Sequence, residues 1–350
     1  MIITSIQELR LASPAHALDS IDGLVGFIDN SEHDFLEDKL GTPLYDALQK
    51  WYDDNQVTRS SVSDYQTGYY NRLLLLAQRC VAFDALGRAI GMQAISVNNS
   101  GINQMVTDDY PAPDKNGKTI DLYRDTCTKE AHAALNQLLR QLEQWCKSSD
   151  DDAERKAIVD LWKESRYYYL AAALLIPSCE VLQSYLNIYD SREKFVQLLP
   201  DLQFIQEEII GNSIGEDLLK VVIDFARDGK LPEGEEPIAG IPVASLTEPT
   251  LQRLVHRLRK VMVALLVGRT SVLKYTKEQK IQAHDDGVRM LQNVTEYLKS
   301  LVPPEPAEDH GGQDHGGQER GSELKPCTCP HGPSSSAEKH SAALWTEPLL

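Results

Sequence analysis

Apolar residues recur at three- and four-residue spacings through most of the chain, which is the pattern of amphipathic helices. Gly41 predicts the end of the first long helix, and Thr42 as N-cap with Pro43 behind it predicts the start of another. The apolar stripes of the two helices are Leu24, Phe27, Ile28, Phe35, Leu36 and Leu40, then Leu44, Ala47, Leu48 and Trp51. This stretch therefore predicts a helix, a tight turn and a second helix.

The middle of the chain continues the helical pattern with one interruption. Residues 70–95 are apolar on most faces, which predicts a buried central helix. The Asn-, Gly-, Pro- and Asp-rich stretch Val97–Asp121 predicts an excursion away from the helices. Leu122–Cys146 then predicts another helix, because its leucines fall on one face.

A polar run, SSDDD at residues 148–152, predicts a solvated linker whose Ser149 or Asp150 caps the next helix. The following stretch, DLWKESRYYYLAAALLIPS, predicts a helix that stops near Pro177. Its tyrosine triplet, 167–169, covers three helix faces, so we expect some rings in the core and at least one at an interface with solvent or a partner.

Three stretches of the chain resemble three later ones in the same order. LGTPLYDAL at Leu40 resembles IGNSIGEDL at Ile210, and ALGRA at Ala85 resembles LVGRT at Leu266. The third pair is AHAALNQLLRQLEQW from Ala131 and AHDDGVRMLQNVTEY from Ala283, which pairs Leu138 with Met290. The ungapped first pair sets Gly41 on Gly211. The alternative is chance similarity between amphipathic helices, but the shared order favours a duplication.

These patterns predict a mainly α-helical fold of two tandem, related, bundle-like units. We expect the first unit over residues 1–150 and the second over residues 151–302. Residues 303–341 contain almost no large apolar side chains and include DHGGQ twice, and residues 303–350 carry eight acidic against three basic residues. That composition predicts a disordered acidic tail.

The formal net charge of −17 argues against broad binding of a nucleic-acid backbone, which needs clustered basic residues. A negative net charge is compatible with a protein surface along which DNA moves without binding. The first residues have no basic and apolar signal pattern, and the longest apolar run, LAAALLIP from Leu170, is too short to span a bilayer. We therefore expect no membrane partner and a protein made in a cytoplasm, with Cys80, Cys127, Cys146 and Cys179 as buried free thiols.

Residue types that carry chemistry are few and poorly grouped. Cys327, Cys329 and His331, with His310, His315 and His340 in the same tail, are of metal-binding types, but the Cys-x-Cys spacing does not match a structural zinc site. Adventitious affinity of a flexible tail is the simpler interpretation.

Two further candidates have structural interpretations. Asp108 and Asp109 beside Tyr110 form either an acid/base or metal pair or, more commonly, a turn. His132 and His284 follow Ala at matching places of the proposed repeats, and a helix-start histidine is usually structural. No phosphate-binding, nucleophile-elbow or metalloprotease motif is present. The sequence thus predicts no catalytic, cofactor-binding or metal-binding residue and no enzyme.

The series FIDNSEHDFLEDKLGTPLYDAL, LLLLAQRCVAFDALGRAIGMQAISVNNSGINQ and EAHAALNQLLRQLEQW, within Ser20–Trp145, resembles uncharacterised proteins encoded in phage-like gene clusters of gut anaerobes. More distantly, it resembles the helical head-to-tail connector, or adaptor, proteins of tailed phages. The resemblance implies a virion structural protein of the neck or tail that forms a ring with other virion proteins as neighbours. It also implies that the excursion Val97–Asp121 contacts the next subunit. The competing hypothesis is a non-viral helical scaffold that holds cellular partners.

Overall fold

Helices dominate the fold, as the apolar periodicity predicts. The structure is a computed structural model that describes residues 1–13, 20–55, 61–65, 67–93, 95–98, 101–104, 118–170 and 172–302. The predicted tail, 303–350, and most of the predicted excursion, including Asp108 and Asp109, lie outside the described residues.

The α-helices of the first part are α1 (Ile6–Ala12), α2 (Val25–Ser31), α3 (Asp38–Leu40), α4 (Thr42–Asp54), α5 (Tyr69–Gln93), α6 (Lys118–Lys147) and α7 (Ala153–Lys163). Those of the second part are α8 (Cys179–Gln183), α9 (Arg192–Phe204), α10 (Asn212–Ile214), α11 (Glu216–Asp228), α12 (Glu248–Arg269) and α13 (Lys277–Lys299). A short antiparallel hairpin, β1 (Ile95–Asn98) and β2 (Gly101–Gln104), follows α5. The mainly α-helical prediction is confirmed.

Two long helix pairs make the most extensive contacts of the fold, α5 with α6 and α12 with α13. A small residue allows each pair to approach closely. A Cβ atom at Gly87 of α5 would lie 3.2 Å from the Cβ of Cys127, and one at Gly268 of α12 would lie 2.9 Å from the Cβ of His284. The sequence pair ALGRA and LVGRT thus marks the same kind of close helix contact in both parts.

A π-helical segment followed by a glycine turn occurs in each part. The first is π1 (Glu32–Glu37), which leads through α3 to Gly41, and the second is π2 (Ile205–Gly211), which leads through α10 to Gly215. Gly41 has φ +83° and ψ 143°, and Gly215 has φ +89° and ψ 140°. Residues with a Cβ rarely adopt this conformation, so both turns require glycine. A 13-residue helix follows each turn.

The counterpart of Gly41 is therefore Gly215, one helical turn beyond the Gly211 of the sequence alignment. Gly211 lies inside π2 with φ −55°. The same one-turn shift applies to α6 and α13, where Met290, the sequence partner of Leu138, is 37% exposed. A shift of one turn preserves the apolar face of a helix, so the apolar pattern alone did not fix the register. The positions that share burial are Ala131 with Gly287, Leu135 with Leu291, Leu138 with Val294 and Leu142 with Leu298.

The helix predicted up to Pro177 is wrong beyond Lys163, where α7 ends. Ser165 redirects the chain: its hydroxyl donates to the carbonyl of Lys39 at 3.1 Å and accepts from the N–H of Tyr167 at 3.1 Å. The described residues from 164 to 177 are not helical, and Ser178 is the N-cap of α8.

The start of α7 also differs from its prediction. Asp152, in place of the predicted Ser149 or Asp150, caps this helix, and its side chain accepts from the N–H of Arg155 at 3.1 Å. The polar run is exposed over residues 149–152, which agrees with the predicted solvated linker.

Buried apolar residues form two hydrophobic clusters that meet near the tyrosine triplet. The first cluster extends along the chain from Ile2 to Tyr167 and includes α7, and the second extends from Tyr169 to Leu298. Trp162, fully buried, makes edge contacts with Tyr168 and Tyr169 at ring-centroid distances of 5.1 and 6.2 Å. The tyrosine triplet therefore packs mainly in the protein interior, at the place where the two hydrophobic clusters meet. The division into units at residues 150 and 151 stays a prediction.

Candidate functional site

Buried and half-buried polar side chains bind a non-helical backbone segment in each part of the fold. Near the start of the chain, Glu32 accepts the N–H of Ile2 at 2.8 Å, and Gln78 donates to the Ile2 carbonyl at 2.6 Å. Burial raises the pKa of Glu32 above its usual value, against the opposing effect of a hydrogen bond from Tyr45. Because these groups satisfy buried backbone, their role is structural.

The second part of the fold repeats this arrangement around Leu175. Gln206, in π2, accepts the N–H of Leu175 at 2.8 Å, and Arg259, in α12, donates to its carbonyl at 2.7 Å. Glu32 and Gln206 occupy matching places, because each precedes the glycine of its own turn by the same number of residues. The two parts therefore share a polar contact as well as an order of helices.

A buried ion pair connects α6 to the start of α9. The Nη2 atom of Arg192 donates to Oε2 of Glu143 at 2.9 Å, and the side chains are 0% and 1% exposed. The Nη1 atom of Arg192 also lies 3.2 Å from Oδ1 of Asp190, and the Arg192 N–H donates to Asn136 at 3.0 Å. Buried charges are tolerated when they are paired, and this cluster links α6, which packs in the first hydrophobic cluster, to α9, which packs in the second.

His132 makes a second polar contact between the same two helices. Its Nδ1 atom lies 2.5 Å from Oε2 of Glu193, and its ring makes an edge contact with Phe35. The hydrogen bond to Glu193 raises the pKa of His132 above its usual value. The other predicted histidine, His284, is exposed on α13 and packs its Cβ near Gly268. The structure therefore does not bring the two histidines into one site.

A basic face lies on α12 and α13, and we define it by Arg253, Arg257, Lys260 and Met290. The guanidinium carbons of Arg253 and Arg257 lie 5.9 and 4.6 Å from the ring centroid of Tyr297, within cation–π range. Arg257, Lys260 and Met290 line a cleft of about 290 Å³. In the described part of the chain, no acidic side chain forms an ion pair with these three cations.

An acidic groove lies between π2 and α11, and we define it by Glu207, Glu208, Glu216, Leu219 and Ile223. The groove has a volume of about 520 Å³. Leu219 and Ile223 form an apolar floor, while the three glutamates are exposed on its rim. Within the described ranges none of these glutamates pairs with a basic side chain. Lys220 and Asp224 also line the groove, and Asp224 is paired with Arg227, so carboxylates predominate on the rim.

The cysteines of the described chain are poor nucleophiles. All four are free, and burial raises the thiol pKa of each one. The pKa reaches about 11 at Cys146 and about 12 at Cys179. A thiol with a raised pKa stays protonated near neutral pH, and the thiolate is the reactive form. The predicted buried free thiols are therefore found at Cys80, Cys127 and Cys179, while Cys146 is half-buried.

The described residues contain no group of three His, Cys, Asp or Glu side chains placed to hold a metal ion. The tail candidates Cys327, Cys329 and His331, with the nearby histidines, lie outside the described residues, as do Asp108 and Asp109. None of the helices that the structure describes is long and apolar enough to cross a membrane.

Sequence reasoning missed the ion pair, the basic face and the acidic groove. The basic face had a readable signal, because Arg253, Arg257 and Lys260 recur at spacings of one helical turn within an acidic chain. The groove had none, since its rim and floor come from two segments that the π-helical turn brings together. The partner of Arg192 was equally invisible, because Glu143 lies on a helix far away in sequence.

Comparison with known proteins adds one similarity. Residues 36–155 match a family of unknown function, DUF6712. The match begins inside π1 and ends in α7, so it covers the glycine turn, α4, α5 and α6 of the first part. No match was found among curated proteins or among solved structures. Over residues 36–155, this chain is thus similar to a family whose description states no activity.

Proposed function

We propose that the chain is a non-enzymatic virion structural protein, a head-to-tail connector or tail adaptor that assembles into an oligomeric ring. The observation that carries the proposal is the repeated unit of π-helix, glycine turn and helix at Glu32–Asp54 and Ile205–Asp228. A chain that repeats one helical scaffold offers related surfaces to its neighbours, as an assembly protein needs. The resemblance of Ser20–Trp145 to phage-like proteins and connectors is the reason for proposing that this assembly is the neck or tail of a virion.

The proposal includes a duplication of the helical unit. The matching backbone angles of Gly41 and Gly215 support it, as do the matching contacts of Gln78 and Arg259 to non-helical backbone. The long pairs α5–α6 and α12–α13 then occupy equivalent places. The two units would have diverged mainly in their connections, since loops tolerate changes in length at small free-energy cost.

The partners under this proposal are further copies of the chain and other virion structural proteins. The net charge of −17 supports a channel through which DNA passes without adhering. The chain would be made in the cytoplasm of a bacterial host and would then be retained in the virion. No cofactor is part of the proposal.

The test is to locate the protein in particles from a host that carries the gene. Antibodies against the chain, bound to gold, are applied to purified particles and viewed by electron microscopy. The proposal predicts label at the junction of head and tail, and deletion of the gene should leave heads without tails. Label on cellular structures and none on particles would overturn the proposal and favour the non-viral scaffold.

A further inference from the structure

The basic face and the acidic groove have complementary charge and shape. The basic face presents Arg257 and Lys260 beside Met290, which is 37% exposed, and Arg253 lies over the same Tyr297 ring as Arg257. The groove presents three carboxylates around the apolar floor of Leu219 and Ile223. An apolar centre with a charged rim is the usual build of a protein interface, and Met adapts well to such a floor.

The two surfaces of one chain cannot satisfy each other. The groove belongs to π2 and α11, and the face belongs to α12 and α13, and all four pack around the second hydrophobic cluster. Among the described residues no ion pair joins a cation of the basic face to a glutamate of the groove, and the packed core holds in place the elements that carry them. Within the described chain, each surface is therefore left open to a second molecule.

We infer that the basic face of one copy binds the acidic groove of another copy of this chain. Charge complementarity selects this occupant. Two copies of a chain with net charge −17 repel each other in most orientations. When the basic face of one copy meets the acidic groove of the other, the interaction between these surfaces is attractive. Arg and Tyr, which are enriched among residues that dominate binding energy, are both present in the face or directly beneath it.

This contact is heterologous, because it joins two different surfaces. Each bound copy keeps one free face or one free groove, so the assembly continues until it closes as a ring or extends as a filament. The inference rests on the proposed function, and it specifies which surfaces hold the proposed ring together.

The test uses two full-length variants that each lose one surface. The face variant is Arg253→Gln, Arg257→Gln and Lys260→Gln, and the groove variant is Glu207→Gln, Glu208→Gln and Glu216→Gln. Matched controls neutralise exposed charges elsewhere: Lys50→Gln, Lys118→Gln and Lys129→Gln for the face, and Asp46→Asn, Asp53→Asn and Asp54→Asn for the groove. Far-ultraviolet circular dichroism and urea midpoints confirm that each variant is folded.

Molecular mass is measured by light scattering at low salt, alone and in an equimolar mixture. We expect the wild type and both controls to assemble, and each surface variant to remain at the single-chain mass of 39.1 kDa. The mixture should form a complex of two chains and no larger species, because the intact groove of the face variant binds the intact face of the groove variant. That result would support the contact.

Three outcomes overturn the contact. They are a wild type that stays monomeric, surface variants that assemble as the wild type does, and a mixture that stays at the single-chain mass. Assembling variants leave the proposed function standing, because a ring can use other surfaces. Absence of the protein from the particles overturns the proposed function alone, even where the mixture forms its two-chain complex.

Discussion

Breaking the buried ion pair between Arg192 and Glu143 should destabilise the fold strongly and unequally. Arg192→Met leaves a carboxylate that is 1% exposed and whose Oε1 atom has no hydrogen-bond partner among the described residues. We expect a loss of about 3–5 kcal/mol in the free energy of unfolding, the usual cost of an uncompensated buried charge. Glu143→Met should cost less, about 2–3 kcal/mol, because Arg192 keeps Asp190 at 3.2 Å.

The double variant tests the reasoning more sharply than either single one. With both charges replaced by Met, no buried charge remains, so the protein should lie within about 1.5 kcal/mol of the wild type. The coupling energy of the cycle, which is the sum of the two single losses minus the loss in the double variant, should then be at least about 3.5 kcal/mol. Urea unfolding followed by tryptophan fluorescence and circular dichroism measures all four proteins. Additive single losses, or a Glu143→Met loss larger than that of Arg192→Met, would refute the argument.

The glycine turns, His132 and the cysteines give three other predictions. Gly41→Ala should destabilise more than Gly215→Ala in urea unfolding: both force a positive φ, at a cost of about 1–3 kcal/mol, but a Cβ at Gly41 also lies 3.0 Å from the Cβ of Ser165. The raised pKa of His132 stabilises the fold below pH 6.5, and this stability is lost as the pH rises through the folded-state pKa. His132→Gln removes the contact with Glu193. In this variant the free energy of unfolding should therefore decrease less than in the wild type as the pH rises from 6.5 through the folded-state pKa of His132. The four described cysteines should resist iodoacetamide at about pH 8 in the folded protein and react in urea, as read by peptide mass spectrometry.

Each of these predictions has a contrary result. If the two glycine substitutions lower the free energy of unfolding equally, Ser165 moves away from the new Cβ atom without a loss of stability. An unchanged pH profile in His132→Gln would show that the contact with Glu193 does not titrate with folding. Rapid alkylation of the described cysteines in the folded protein would contradict their burial and their raised thiol pKa values.

The helical class was predictable because it depends on local pattern. Apolar residues at helical spacing located α4, α5 and α6 to within a few residues, and Gly41 marked a helix end by its freedom to adopt positive φ. The end of α7 was not predictable from the pattern. The chain turns there because Ser165 bonds the Lys39 carbonyl, a contact between segments far apart in sequence.

The repeat shows the same limit. Similar residues in the sequence predicted an order of matching segments, but Gly211 in place of Gly215 and Met290 in place of Val294 put two of the three pairs one helical turn away from the positions that share backbone angles or burial. Only the backbone angles and the pattern of burial distinguish registers that share an apolar face. The candidate surfaces depend on those registers, so their charges could be read in the sequence but their geometry could not.

The mass of the full chain in solution tests the central claim of assembly most directly. It is measured by light scattering over a range of protein concentrations at low and high salt. The account predicts one closed species, a fixed multiple of 39.1 kDa, that persists on dilution and weakens at high salt. A mass of 39.1 kDa at every concentration would contradict it.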